Sequence, residues 1–78
     1  MPYFFESGEF LKIESEITGK IYEQKECVYI LNTLQVYKYL LNNAELLDVV
    51  LGEDNKICFV FNRKDTYRLY DKWCKREL

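Results

Sequence analysis

The sequence predicts an α+β domain with a small, mostly antiparallel sheet and helices packed on one face of it. Apolar residues alternate with charged ones near the start, recur at helical spacing in the middle and at the end, and form nearly unbroken runs between the two helices. The chain has 78 residues, 49% of them hydrophobic, and a formal net charge of −2. This length fits a single domain.

The first 26 residues are expected to form a hairpin that is added to a core spanning 27–77. Leu11, Ile13 and Ile17 alternate with charged residues, which is typical of a strand with one solvated face. Gly19 accepts positive φ and therefore favours the turn of the hairpin. We expect the hairpin to lead into the first strand of the core.

A first helix is predicted to follow Asn32, whose side chain can cap a helix start. Its apolar stripe, which we expect to face the core, consists of Leu34, Tyr37, Leu40 and Leu41. The opposite, polar side consists of Gln35, Lys38 and Asn42. Asn42 and Asn43 are suited to the C-terminal cap, because asparagine tolerates the left-handed conformation.

A second hairpin is predicted over residues 46–61, with a polar connection at 52–55. The oxygens of Glu53, Asp54 and Asn55 invite a comparison with a cation site, but they are too few for a calcium loop and favour a solvated turn. A terminal helix is expected to start at the N-cap Asp65 and to run to about Arg76. Its apolar half contains Tyr67, Leu69, Tyr70, Trp73 and Cys74.

The charge is split along the chain, with −5 over residues 1–61 and +3 over residues 62–78. The terminal helix carries a basic flank that consists of Arg68, Lys72, Lys75 and Arg76. This flank can meet phosphate groups or an acidic protein surface. Stabilisation of the C-terminal helix dipole by cations explains the flank more simply, and Asp71 can pair with Arg68 or Lys75.

The strands of the second hairpin predict a sheet that is apolar on both faces, because only Asp48 interrupts the run from Leu46 to Leu51. Two helices can cover only one face. The other face is expected to be covered either by the N-terminal segment with Tyr3, Phe4 and Phe5 or by a second copy of the chain. The latter would make a homodimer through the exposed sheet face.

Aromatic residues make up 17% of the chain and are expected to serve mainly as core. Tyr39, which points off the helical stripe, and Trp73, beside the basic flank, are predicted to be surface anchors for a partner. Glu14 and Glu16 on the first strand could imitate nucleic-acid phosphates, although a solvated strand face explains them more simply.

Several chemistries have no residues to support them. The chain has no histidine and no glycine-rich phosphate loop, so the sequence predicts no catalytic residue, cofactor or metal. Cys27, Cys58 and Cys74 lie among apolar neighbours and are expected to be reduced core thiols in a cytoplasmic protein. The start of the chain lacks the basic region and the long apolar stretch of a secretion signal, and no apolar run is long enough for a membrane span, so we expect neither feature.

From Cys27 onward the pattern resembles a family of short, functionally uncharacterised domains in Gram-positive bacteria and their phages. The matching segments are 29–32, 39–41, 46–49 and 59–61. The resemblance covers residues 27–77 and implies a β-α-β-β-α arrangement, in which Asn43 takes the place of a common glycine. It supplies no catalytic residue.

The leading functional hypothesis is a non-enzymatic interaction protein, encoded by a phage or mobile element, that binds and inhibits a larger host protein such as a defence component. The alternative is a small nucleic-acid-binding regulator that uses the basic terminal helix.

Overall fold

The computed structural model of the protein describes residues 11–78. The helices are α1 (Thr33–Leu41) and α2 (Arg63–Cys74). The strands are β1 (Lys12–Glu14), β2 (Ile21–Glu23), β3 (Cys27–Ile30), β4 (Leu46–Leu51) and β5 (Ile57–Asn62). The strands form two antiparallel sheets, and together with the two helices they confirm the predicted α+β class.

The larger sheet has the strand order β3-β5-β4. Both outer strands run antiparallel to β5 and therefore parallel to each other, and α1 makes the connection between them. β5 is the central strand, and its Val60 and Phe61 are completely buried. The pairing of β4 with β5 shifts between Leu46 and Asp48, so Leu47 is the extra residue of a β-bulge.

Both helices pack on one face of this sheet, as predicted. Val36 and Tyr39 of α1 and Leu69 of α2 share a core cluster with Phe61. The rings of Tyr39 and Phe61 meet edge to face, with centroids 5.6 Å apart and an interplanar angle of 76°. Such a contact stabilises a core by about 0.5–1.5 kcal/mol beyond the area that it buries.

The β1–β2 hairpin covers the second face of the sheet. Tyr22, supported by Ile13, packs against Cys27, Leu47 and Val60. This face was expected to be covered by Tyr3–Phe5, which lie outside the described residues, or by a second copy of the chain. The hairpin already buries the centre of the face, so the expectation that it lies exposed for a homodimer is wrong there.

Local signals in the sequence place the turns correctly. The Asn32 side chain accepts a hydrogen bond from Gln35 N at 3.1 Å and caps α1, and Asn43, with φ of 68°, ends that helix in the left-handed conformation. Gly19 has φ of 76° in the hairpin turn. The connection between β4 and β5 uses left-handed Asp54 and Asn55 and is exposed, as predicted for a solvated turn.

The limits of α2 differ from the prediction. The N-cap is Asn62, whose side chain accepts from Lys64 N at 2.8 Å, and Asp65 instead accepts a hydrogen bond from Glu45 N at 3.1 Å. The helix ends at Cys74, because left-handed Arg76 lets Glu77 N bond to Lys72 O at 2.8 Å and closes the last turn. α2 therefore follows β5 directly, with no loop between them.

The orientation of α1 is the main departure from the sequence prediction. The stripe that was expected to face the core lies outward: Leu34, Tyr37, Leu40 and Leu41 are 44–64% exposed. The helix buries Gln35, Val36 and Tyr39 instead. The Tyr39 hydroxyl accepts a hydrogen bond from Gln35 Nε2 at 2.8 Å, and this pairing lets two polar groups enter the core together.

Candidate functional site

One flank of α2 faces β3 across a groove. Arg63, Tyr67 and Tyr70 lie on this flank, because residues three or four apart in a helix share one side. Thr66 and Leu69 of the same helix point towards the sheet. The direct passage from β5 into α2 fixes the helix above the sheet, with this flank turned towards the outer strand β3.

The groove has an apolar part and a basic part. The apolar part is a depression of about 330 Å³ whose lining residues are Val28, Ile30, Tyr39, Arg63, Thr66, Tyr67 and Tyr70. The basic part is a depression of about 590 Å³ lined by Lys25, Glu26, Arg63, Lys64, Tyr67 and Arg68. The two parts share Arg63 and Tyr67, and we call them together the β3–α2 groove.

The tyrosines of the groove are accessible to a partner. Tyr67 is 74% exposed and Tyr70 is 58% exposed, although they were predicted to belong to the buried half of the helix. Tyrosine combines a large apolar surface with a hydroxyl and few rotatable bonds, which makes it a frequent anchor in protein interfaces. The groove therefore offers two aromatic anchors above an apolar floor.

Charge is concentrated at one end of the groove. The basic part has four cations, Lys25, Arg63, Lys64 and Arg68, and the single carboxylate of Glu26. None of these five side chains belongs to either of the two salt bridges found within residues 11–78, so their charges are available to a ligand. The N-terminus of α2 lies at the same end and adds a partial positive charge.

In the part of the chain that the structure describes, the wall of the groove formed by β3 is an open sheet edge. Within residues 11–78, β3 pairs with β5 alone. Hydrogen-bonded positions alternate in antiparallel pairing, so two of the four residues of β3 direct their backbone N–H and C=O groups away from β5. Arg63 Nη2 lies 3.4 Å from Cys27 O at the start of the strand.

At the opposite edge of the sheet, the first part of β4 bonds to side chains of the hairpin and to the side chain of its own Asp48. Lys20 Nζ donates to Leu46 O at 2.9 Å, and Thr18 Oγ1 donates to Leu47 O at 2.7 Å. The N–H of Val49 donates to Asp48 Oδ1 at 2.7 Å. Three backbone groups of β4 thus have side-chain partners.

A buried carboxylate joins the hairpin to β4. Asp48 is 4% exposed and accepts hydrogen bonds from Ser15 Oγ at 2.6 Å and from the Tyr22 hydroxyl at 2.7 Å. Burial alone would raise the pKa of the Asp48 carboxyl, but the hydrogen bonds from Ser15, Tyr22 and Val49 N outweigh it and hold the pKa below its ordinary value. Burial and the bond to Asp48 raise the pKa of Tyr22. Asp48 is therefore a charged structural anchor, and its carboxylate accepts three hydrogen bonds from within the protein.

The predicted interface residues divide between several places. Arg68 lies in the groove, and Lys72 lies beyond it in another depression near Tyr70 and Cys74. Lys75 pairs with Asp71 at 3.2 Å, and Arg76 forms the helix end. Glu14 and Glu16 are exposed on the hairpin beside β4, so the structure does not bring them together with the basic flank.

Two predicted anchors are not free at the surface. The prediction of Tyr39 as a surface anchor is wrong, because its side chain is completely buried. Trp73 is half-buried and packs against the core that contains Phe61. The cysteines also differ from the prediction of three core thiols: Cys27 is buried, Cys58 is half-buried and Cys74 is exposed.

The sequence reasoning missed the parts of the site that depend on tertiary structure. Arg63 and Lys64 were not singled out because the helix was expected to begin at Asp65. Tyr67 and Tyr70 were assigned to the core because they share a broad apolar half with Leu69. A signal was available in the i,i+3 spacing of the two tyrosines beside a cation at each turn, which is typical of a partly exposed helix flank.

No protein-family model, no curated protein and no solved structure matches the chain. Between residues 11 and 78, no helix has the length and apolar character required to cross a membrane. In that same part of the chain, no three potential metal ligands cluster in a way that could hold an ion. Function is therefore inferred from the geometry of the groove.

Proposed function

We propose that the protein is a non-enzymatic interaction module that binds a larger protein through the β3–α2 groove and modulates it. The observation that carries this proposal is the placement of exposed Tyr67 and Tyr70 over an apolar floor, with cations at one end. An apolar centre with aromatic anchors and a charged rim is the usual arrangement of a protein-binding surface.

In its specific form, our proposal is that a phage or mobile element encodes this protein and that it inhibits a host protein in the cytoplasm. Its support is the resemblance of residues 27–77 to the domains of Gram-positive bacteria and their phages. A small protein that covers a functional surface of a larger one needs no active site of its own.

The test is affinity capture from a Gram-positive bacterial lysate with three versions of the full chain. The wild type is compared with Tyr67→Glu in the groove and with Tyr37→Glu, a control on the exposed side of α1. We expect a discrete protein that the wild type and Tyr37→Glu retain after nuclease treatment and that Tyr67→Glu loses. Equal capture by all three chains, or no captured protein, would contradict the proposal.

The second candidate function is single-stranded nucleic-acid binding by the same end of the molecule. The observation that favours it is the position of Tyr67 between Arg63, Lys64 and Arg68, because an aromatic ring can stack on a base while cations meet the phosphates. The overall net charge of −2 opposes it.

A salt series with a labelled single-stranded oligonucleotide decides between the two functions. Nucleic-acid binding predicts an affinity that falls steeply with salt. Charge reversal of Lys64 and Arg68 would flatten the slope by about 0.7 for each lost phosphate contact. An unmodified protein that binds no oligonucleotide at low salt excludes this function.

A further inference from the structure

We infer that the ligand of the groove is an extended peptide segment of the partner, which adds to β3 as a further antiparallel strand and carries acidic residues at its C-terminal end. This inference rests on the proposed function and names the class of partner. Three features of the groove lead to it: the open edge of β3, the apolar floor beside that edge, and the position of the charges.

The open edge provides the main-chain recognition. Two residues of β3 present N–H and C=O groups that β5 does not use, and the described residues supply no second strand. An extended peptide satisfies these groups with its own backbone, which is the way that strand addition gives affinity with little dependence on sequence. A helical ligand could not do so, because its backbone groups bond to each other.

The apolar part of the groove provides side-chain recognition. Val28 and Ile30 of β3 face Tyr67 and Tyr70 of α2 across a depression of about 330 Å³. In an added strand, side chains alternate between the two faces of the sheet. Every second residue of the peptide would therefore enter this depression, and an apolar residue is expected at those positions.

The charges determine which end of an added antiparallel strand is acidic. Lys25 precedes β3, and it lies in the basic part of the groove with Arg63 and Lys64 at the start of α2. Ile30 at the other end of β3 lies in the apolar part with Tyr70. A strand antiparallel to β3 has its C-terminal end at the start of β3, next to the cations. Charge complementarity therefore places Asp, Glu or a free carboxylate at that end of the peptide.

The test starts with selection of binders for the full chain from a random library of ten-residue peptides. We expect enrichment of apolar residues at alternate positions followed by acidic residues towards the C-terminus. The best peptide is then N-methylated at one backbone position at a time. Strand addition predicts that methylation at alternate positions lowers the affinity by about tenfold or more, whereas methylation between them changes it by less than about threefold.

Variants of the protein connect the peptide to the groove. Tyr67→Glu is expected to lower the affinity about tenfold or more, and the matched control Tyr37→Glu is expected to leave it unchanged. Lys64→Glu should lower the affinity for the selected peptide. It should have a much smaller effect on the affinity for a version of the peptide whose acidic residues are replaced by amides. Loss of binding with Tyr37→Glu alone would overturn the inference, because it would place the ligand on α1.

The outcomes separate this inference from the proposed function. Strand addition would be overturned if the selected peptides have apolar residues at i, i+3 and i+4. It would also be overturned if no peptide is selected while lysate capture still depends on Tyr67. Either result would leave the proposed interaction module in place. A further outcome is that the chain self-associates in sedimentation and that Tyr67→Glu abolishes this association. A second copy of the chain would then occupy the groove, and the inference would be overturned. Absence of both peptides and captured protein would overturn both.

Discussion

The two edges of the three-stranded sheet are treated differently by the rest of the molecule. At β4, side chains of Thr18 and Lys20 bond to backbone carbonyls, and Asp48 holds both the hairpin and the N–H of Val49. At β3, the described residues offer one long contact from Arg63 to Cys27 O and no second strand. An unpaired edge is a hazard for aggregation unless it is short, charged or covered. β3 has four residues and cations beside it, so it meets this requirement while staying accessible.

The same contrast holds for apolar residues. On the hairpin side, Tyr22 and Leu47 are buried against Val60. On the groove side, Tyr67 and Tyr70 are exposed to solvent, and their position adds little buried apolar area to the fold. The comparison teaches that the hairpin buries apolar residues and so serves the stability of the sheet, whereas the groove leaves its tyrosines exposed, as the proposed binding role requires.

Loss of the Asp48 carboxylate should have the largest effect. Asp48→Ala leaves the buried hydroxyls of Ser15 and Tyr22 without their acceptor, and we expect the free energy of unfolding to fall by roughly 3–5 kcal/mol. Urea denaturation measures this change. Glu53→Ala, at the exposed turn between β4 and β5 but without positive φ, is the control and should stay within about 0.5 kcal/mol of the wild type. Equal effects of the two substitutions would show that Asp48 does not hold the hairpin.

Part of the contribution of the Asp48 carboxylate should also appear in the pH dependence of the free energy of unfolding. The folded pKa of Asp48 is lowered, so its carboxylate stabilises the fold fully above the unfolded pKa of about 3.9, and this stabilisation is lost as the pH falls through the folded pKa. Unfolding in urea measured between pH 6 and pH 2 should show a decline that is smaller in Asp48→Asn. An identical decline in both proteins would mean that the folded pKa of Asp48 is not lowered.

A smaller effect is expected at Thr18. Thr18→Val keeps the shape of the side chain and removes the hydroxyl that donates to Leu47 O, so we expect a loss of about 1 kcal/mol in urea unfolding. Thr33→Val, at the exposed start of α1, provides the matched control. A neutral Thr18→Val would show that the β4 edge does not need this contact.

The smallest change in stability is expected in the groove. Tyr67→Ala should alter the free energy of unfolding by less than about 0.5 kcal/mol, because the side chain is 74% exposed. Thermal and urea unfolding of the two proteins check this value. A loss above 2 kcal/mol would show that Tyr67 supports the fold and would remove the distinction between the groove and the hairpin.

The sequence was sufficient to predict the helices, strands and turns, but not to predict which face of each element is buried. The turn at Gly19, the cap at Asn32 and the strands of the second hairpin follow from local chemistry, and all are found. The outward stripe of α1 could not be predicted in this way, because counting apolar residues gives Leu34 and Leu41 more weight than a single Tyr39. What decides the matter is the fit of that ring against Phe61 and its bond to Gln35, both of which are tertiary.

The candidate site was predicted only in part. Arg68 was identified from the charge pattern, and it lies in the groove. Lys25 and Arg63 could not be connected with it, because the order β3-β5-β4 brings residues 25 and 63 together across a long stretch of chain. The openness of the β3 edge is likewise a property of strand order, which alternation of apolar residues does not reveal.

Amide hydrogen exchange of the full chain, free and bound to the selected peptide, tests the central claim most directly. In the free protein, two alternate amides of β3 should exchange as rapidly as exposed amides, while the amide of Val49 exchanges slowly. Peptide should slow those two β3 amides by about tenfold or more and leave Val49 unchanged. Four β3 amides that are already slow in the free protein, or protection that appears at β4 instead, would contradict an open edge that serves as the binding site.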